Sequence, residues 1–503
     1  MTGHVYDLAV IGGGINGAGI AADAAGRGLS VVLLEKCDLA GGTSSASSKL
    51  IHGGLRYLET YELRLVREAL AERDVLLAKA GHIVWPLRFV LPHVPGMRPA
   101  MMIRAGLFLY DHLARRQRIP GSSSLDLARD PAGAALRPEL NRGFAYWDCW
   151  VDDARLVVLN ARAAAASGAR IVTRARVRQA RPEDGAWHVT VEGASGPEDS
   201  RARVLVNAAG PWAGPVMDLC GRPESGPERA HTRPKLRLVK GSHIVVPRLA
   251  GGDAYLMQND DRRAVFAIPF EDRFTLIGTT DVPYEGDPGG AAIDEHEEDY
   301  LLAVTRRFFR KPVERKDIVW RYAGVRPLID DGSANPSAVS RDYQLELEAG
   351  PGAPPVLHVL GGKVTTYRRL AEAALERLKP HLSLTRGPWT AAAPLPGGDF
   401  GAKGVMGYRL DLERRRPGLP AALLSRLVRR YGTLADDVLG DARTPADLGL
   451  DLGGGLSERE VIYLKEQEWA RSPDDVLWRR TKAGLHMSEA ERKRSIELIA
   501  RLL

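Results

Sequence analysis

Gly12-Gly13-Gly14-Ile15-Asn16-Gly17 fits the pattern G-x-G-x-x-G. It follows an apolar run, Tyr6 to Ile11, and opens a small-residue stretch through Ala21, Ala22, Ala24 and Ala25. That placement suits the pyrophosphate of a dinucleotide. The first glycine permits a tight turn, the second lets the backbone approach the phosphates, and the third lets helix and strand pack closely. The helix N-terminus supplies N–H donors and partial positive charge. Glu35 ends the next apolar run, Val31-Val32-Leu33-Leu34, where a carboxylate for a ribose hydroxyl is expected. The same carboxylate would repel a 2′-phosphate, which argues against NADP. An ordinary turn explains the glycines alone, but not glycines, helix, both strands and Glu35 together.

Three later segments point to FAD rather than NAD. Gly41-Gly42-Thr43-Ser44-Ser45-Ala46-Ser47-Ser48 is a hydroxyl-rich loop able to line an extended dinucleotide, although a solvated linker has the same composition. Val204 to Val206 ends in Asn207-Ala208-Ala209-Gly210, small residues past which a ligand can run close to backbone. Leu360-Gly361-Gly362-Lys363-Val364-Thr365-Thr366 is a second strand-glycine-helix junction, whose helix end would stabilise a reduced, anionic isoalloxazine. The candidate cofactor residues are therefore Gly12, Gly14, Ile15, Asn16, Gly17, Glu35 and Lys36 at the first junction. Thr43, Ser44, Ser45, Ser47, Lys49, His52 and Gly53 follow in the loop, then Ala208 and Gly210, then Gly362, Lys363 and Thr365.

With these segments in order, the chain closely resembles the aerobic, FAD-dependent glycerol-3-phosphate dehydrogenases, within the wider glycine-oxidase-like, amino-acid-oxidase-type flavoproteins. The resembling stretches are Ile11 to Gly17, Ser44 to Tyr57, Asp148 to Arg155, Lys240 to His243, Gly278 to Asp281, Gly324 to Pro327 and Gly361 to Lys363. They span nearly the whole chain, and Ser44 to Tyr57 is the specific one. The resemblance implies oxidation of sn-glycerol 3-phosphate to dihydroxyacetone phosphate, with electrons passed to membrane quinone. It also implies a dimeric, cytoplasmic enzyme peripherally associated with the inner face of the cytoplasmic membrane.

Such a reaction needs a hydride path from C2 to flavin N5, a base for the hydroxyl proton and cations for the phosphate. Arginine is the natural phosphate clamp, because its planar fork makes two charge-assisted bonds. Arg326 precedes Pro327 in an apolar turn, and Arg341 follows in Ser340-Arg341-Asp342. By resemblance both reach the substrate, as do Arg56 and Tyr57; surface or interdomain ion pairs are the competing reading. Lys363 could hold the phosphate, polarise the C2 oxygen or merely neutralise the reduced flavin. His243 is the expected general base, since histidine accepts a proton near pH 7 with little perturbation. His52 is expected to pack against the flavin, and Thr279 either donates to substrate or caps. Asp152 and Asp153 lack partners at metal-ligand spacing, so a helix cap is the better reading and no metal is expected. Cys37 reads as packing.

Positioning these residues requires a discontinuous α/β fold. The expected architecture is a Rossmann-type FAD-binding domain from residues 1–83, 150–230 and 325–385. An inserted mixed-sheet α+β substrate domain takes 84–149 and 231–324, and a C-terminal helical cap takes 386–503. Helix starts in the cap are marked by Ser457 with Glu460, Ser488 with Glu491, and Ser472-Pro473. The stretch Arg98 to Arg118 reads as an amphipathic helix. Met102, Ile103, Leu107, Leu109, Tyr110 and Leu113 lie on one face, with arginines including Arg115 and Arg116 near the end. It suits either an anionic bilayer or a domain surface.

At 503 residues the chain exceeds one compact core. Its 44% hydrophobic and 26% charged residues are those of an ordinary globular protein. A net charge of +7 without basic blocks or stacking aromatics excludes a dedicated nucleic-acid binder, but suits an anionic substrate or membrane surface. Three cysteines, Cys37, Cys149 and Cys220, form no paired spacing and fit a reducing cytosol. Neither a signal peptide nor a membrane-spanning run is expected. The rival readings are a glycerol-3-phosphate oxidase using O₂, an amine or amino-acid oxidase, and a non-enzymatic flavin-bearing binding protein.

Overall fold

The computed structural model describes the chain except residues 1–3, 60, 95, 115–117, 194–195, 221–235, 262, 331–341 and 351–352, and the side chain of Arg56. Two sheets organise it. In the first, Ala353–Leu360, Gly196–Asn207, Val5–Ile11, Val31–Glu35 and Arg170–Thr173 run parallel in that order. Gln344–Gly350 adds an antiparallel edge, and the hairpin of Arg176–Glu183 and Ala186–Gly193 extends from Gly196–Asn207. Val31 to Leu34 and Leu8 to Val10 are wholly buried, as expected of parallel strands covered on both faces. The helix Ile15–Gly26 covers one face beside Asp153–Ala166 and Tyr367–Leu378. Its alanines let these neighbours approach closely.

The second sheet is mixed and has ten strands among the described residues. Its centre is Leu236–Pro247, paired antiparallel with Phe274–Gly278 and with Trp320–Ile329. Ala264–Phe270, Ala254–Gln258, Val84–Pro92, Arg142–Val151 and Leu50–Ile51 continue it. Leu50–Ile51, expected with the nucleotide-binding part, pairs in this sheet instead. The cuts expected at 149/150 and 324/325 fall inside Arg142–Val151 and Trp320–Ile329. Sequence pattern missed these strands because Pro, Arg and aromatic residues interrupt their alternation.

The C-terminal helices build their own apolar core, from Leu412 to Ile499. Ser488 and Glu491 form the capping box expected there, Ser457 caps Glu458–Gln467, and helix begins at Pro473. Buried ion pairs join this unit to the rest. Arg480 binds Asp38 at 2.8 Å, Lys482 binds Asp152 at 2.7 Å, and Arg155 pairs with Glu468. Asp152 also caps Asp153–Ala166 by accepting from the Arg155 amide, as expected.

Candidate functional site

One cavity of about 630 Å³ opens against both glycine junctions and the edge of the second sheet. That is within the size range of cofactor sites. At the first junction Gly12 has φ +112°, and a Cβ there would stand 2.5 Å from the Ala208 carbonyl oxygen. A Cβ on Gly17 would collide with the Gly12 carbonyl, so helix and turn touch as the motif requires. Glu35 accepts from the Gly13 amide at 2.6 Å and the Cys37 amide at 2.7 Å, bracing the turn. Burial raises its pKa against the pull of these bonds. Asn16 donates to the Gly361 carbonyl at 3.1 Å and so ties the two junctions together.

The loop after the second strand is the hub. Ser44 accepts from the Ile15 amide at 3.0 Å, at the helix N-terminus. Thr43 donates to the Val325 carbonyl at 2.5 Å, beside Arg326. Ser47 donates to Asp153 at 2.7 Å, and Tyr322 donates to the Ser47 carbonyl at 2.8 Å. Ser48 meets His243 Nε2 at 2.9 Å. The wall is thus assembled from residues widely separated in sequence.

Most expected cofactor residues line the cavity: Gly12, Gly14, Ile15, Asn16, Glu35, Lys36, Thr43, Ser44, Ser47, His52, Ala208, Gly210, Gly362, Lys363 and Thr365. Gly17, Ser45, Lys49 and Gly53 stand behind its wall. Lys49 is buried because it braces the loop, with Nζ 2.7 Å from Asp153 and 2.9 Å from the Ser45 carbonyl. Gly53 donates to Tyr110 Oη at 2.8 Å, and that hydroxyl donates to buried Asp148. Cys37, expected to be packed, is exposed and lies along the cavity.

Tyr57, His243, Thr279, Arg326 and Lys363 share the cavity. Lys363 Nζ lies 4.1 Å from the Tyr57 ring centre. Arg326 donates to the Thr280 carbonyl at 2.9 Å and pairs with Asp281 at 2.8 Å. It converges with Thr279 over Gly241: a Cβ on Gly241 would collide with the Arg326 guanidinium and lie 2.6 Å from Thr279 Oγ1. His243 stacks on Tyr322 with ring centres 4.8 Å apart. Burial, then the charges of Lys49 and Arg326, hold its pKa well below the usual value, so the ring is neutral and able to accept a proton. Its Nδ1 is buried without a hydrogen-bond partner. Arg341 and the Arg56 side chain lie outside the described residues.

Ser48, Gly241, Asp281 and Tyr322 carried no individual expectation, although Ser48, Gly241 and Asp281 sit in the resembling segments. Tyr322 has no sequence signal, because only strand register brings it opposite His243.

The cavity's chemistry fits FAD. A helix N-terminus faces the phosphate end, small residues border the passage, and the buried Asn16 Oδ1 has no hydrogen-bond partner at the junction expected to receive the flavin. Comparison with known proteins agrees. Residues 7–368 match the family described as FAD dependent oxidoreductase, and residues 388–503 match the C-terminal domain of alpha-glycerophosphate oxidase. The chain is 56% identical to a glycerol-3-phosphate dehydrogenase of Pseudomonas aeruginosa, over 98% of this chain and 94% of that one. It is 51% identical to a D-erythritol 1-phosphate dehydrogenase of Brucella abortus, over 98% and 97%. The crystal structure of the Bacillus halodurans glycerol-3-phosphate dehydrogenase complexed with FAD superposes with a TM-score of 0.73 at 27% identity, covering 100% of this chain and 95% of that one. The chain is an FAD enzyme, and it belongs to the family of FAD-dependent oxidoreductases that includes the glycerol-3-phosphate dehydrogenases.

Proposed function

We propose that this enzyme oxidises sn-glycerol 3-phosphate to dihydroxyacetone phosphate and passes the electrons to membrane quinone. The observation that carries this reading is the convergence of Arg326 and Thr279 over Gly241, in the cavity that Lys363 and His243 also line. FAD, held by the two glycine junctions, would supply the two-electron acceptor for oxidation at the substrate C2. Arg326 binds the phosphate dianion by charge-assisted hydrogen bonds, while Thr279 donates to it; Arg341 and Arg56 are assigned the same role by resemblance alone. Neutral His243 takes the C2 hydroxyl proton, and Lys363 stabilises negative charge where substrate and flavin meet. Asp281, paired with the Arg326 guanidinium at 2.8 Å, holds it in place.

The helix Ala100–His112 supports peripheral membrane attachment. Leu107 and Tyr110 face inward, whereas Met101, Met102, Phe108 and Leu109 are exposed, with Met101 87% accessible. The apolar face expected from sequence is thus divided between core and surface. Arg115 and Arg116 lie outside the described residues. No helix among the described residues is long and apolar enough to span a membrane. An apolar helix face of this kind suits the acyl boundary of a bilayer.

A second reading, D-erythritol 1-phosphate as substrate, is favoured by the Brucella relative at 51% identity. Comparing kcat/KM for the two polyol phosphates with a soluble quinone separates them. A preference for glycerol 3-phosphate supports the proposal; a preference for the four-carbon phosphate replaces it. Rapid turnover in air without quinone, with peroxide formed, would instead indicate an oxidase.

A further inference from the structure

Beyond Gly278 the strand Phe274–Gly278 leaves the ladder, and its partner resumes pairing only at Val282. The three residues between, Thr279 to Asp281, swing toward the cavity and supply Thr279, the Thr280 carbonyl and Asp281 around Arg326. An unladdered turn facing a cavity needs a separate anchor. That anchor is Glu297, in the first turn of the helix Glu295–Phe308 and only 4% exposed. Its Oε1 accepts from Thr280 Oγ1 at 2.6 Å and from Ser242 Oγ at 2.9 Å. Its Oε2 accepts from the Asp294 amide at 3.1 Å and pairs with Lys240 Nζ at 2.9 Å. The Ser242 amide closes the ring by donating to Thr280 Oγ1 at 2.9 Å. One carboxylate thus clamps the strand before His243 to the turn that cradles Arg326.

We propose that Glu297 is a positioning residue for the phosphate clamp. It touches neither the cavity nor any residue assigned to the proton transfer. Through Ser242 and Thr280 it fixes the separation of Gly241 from the Thr279–Asp281 turn, and hence the aim of Arg326. Displacing a binding group by about 1 Å costs on the order of 10²-fold in such sites. The inference rests on the phosphate-ester reading of the substrate.

The test is steady-state kinetics of FAD-loaded Glu297→Ala and Glu297→Gln with glycerol 3-phosphate and a soluble quinone, alongside flavin content and visible spectrum. The expected result is a KM raised about 10²-fold in Glu297→Ala, with kcat lowered roughly threefold or less and the flavin spectrum unchanged. Glu297→Gln, which keeps an acceptor oxygen for Ser242 and Thr280, should recover to within about fivefold of wild type. A scaffold role alone would lower flavin content and thermal stability without this KM-against-kcat split. If Glu297→Ala fails to fold, the near-isosteric Thr280→Val carries the test, with KM raised about tenfold. A KM unchanged in whichever variant folds would overturn the proposal. A wild type that ignores glycerol 3-phosphate would overturn the substrate reading, and this inference with it.

Discussion

The two ends of the cavity are built by different means. The dinucleotide end is made mostly of backbone: a glycine turn, amides held by Glu35, and a helix N-terminus, nearly all from Val5 to Cys37. The substrate end is made of side chains from five stretches of sequence, fixed by ion pairs and hydroxyl contacts across strands. Ser48 and His243 meet across 195 residues, and Thr43 reaches Val325 across 282. Backbone geometry tolerates almost no substitution but imposes little selectivity among dinucleotide ligands. The side-chain end can be retuned one contact at a time, and relatives named for glycerol 3-phosphate and for erythritol 1-phosphate each share more than half of this sequence.

This contrast is open to being broken, and the largest effect should come from the backbone end. Gly17→Val forces a side chain into the Gly12 carbonyl, where nothing flexible can yield. The purified variant should carry under about a tenth of the wild-type flavin, measured by visible absorbance per protein, since such backbone clashes are among the most destabilising changes. Normal flavin content would show that the helix approach is not essential.

The side-chain end should respond with flavin retained. Arg326→Leu is expected to lower kcat/KM roughly 10²- to 10³-fold, the loss of two charge-assisted hydrogen bonds to phosphate. His243→Asn should lower kcat about 10²-fold or more, chiefly without raising KM, if the ring takes the substrate proton. Because burial and neighbouring cations depress the His243 pKa, the acid limb of kcat/KM for wild type should lie below the usual histidine range. Gly241→Ala, which pushes on Arg326, Thr279 and the Thr280 carbonyl, should cost about tenfold in KM. Equal flavin loss in these variants and in Gly17→Val would dissolve the distinction between the two ends.

A smaller effect concerns the junction with the C-terminal helices. His82 is buried with both ring nitrogens unpartnered, near the charges of Arg155 and Arg429, and its pKa is pushed down to about 3. The unfolded chain protonates this residue near pH 6.5, whereas the folded one does not. Its contribution is therefore intact above that pH and is lost as pH falls toward the folded value, by about 1.4 kcal/mol per pH unit. His82→Leu should lose less thermal stability than wild type between pH 7 and pH 5. The smallest change in catalysis is expected at the exposed helix. Met101→Ser with Phe108→Ser should leave turnover with soluble acceptor within about twofold, as surface substitutions usually do, while weakening co-sedimentation with anionic vesicles.

The same contrast explains what the sequence made legible. The glycine hexad, its flanking strands and Glu35 are local, so their spacing alone carries their geometry. Asp152 as a cap and Ser488 with Glu491 as a capping box are local too, and both appear as read. Lys49 was legible only as a basic residue in a cofactor loop; its burial against Asp153 depends on a helix a hundred residues away. Tyr322 and Glu297 are invisible in sequence, because strand register and helix docking bring them to the site. The domain cuts expected at 149/150 and 324/325 fall inside Arg142–Val151 and Trp320–Ile329 for a related reason. Their alternation is broken by residues that serve the cavity rather than the pleat.

Oxidation of glycerol 3-phosphate by the bound flavin is read most simply from the visible spectrum of the FAD-loaded enzyme under anaerobic conditions, before and after addition of glycerol 3-phosphate. Prompt bleaching of the oxidised flavin bands is expected, and their return when a soluble quinone is added. A spectrum unchanged by glycerol 3-phosphate, in protein that dithionite still reduces, would contradict it.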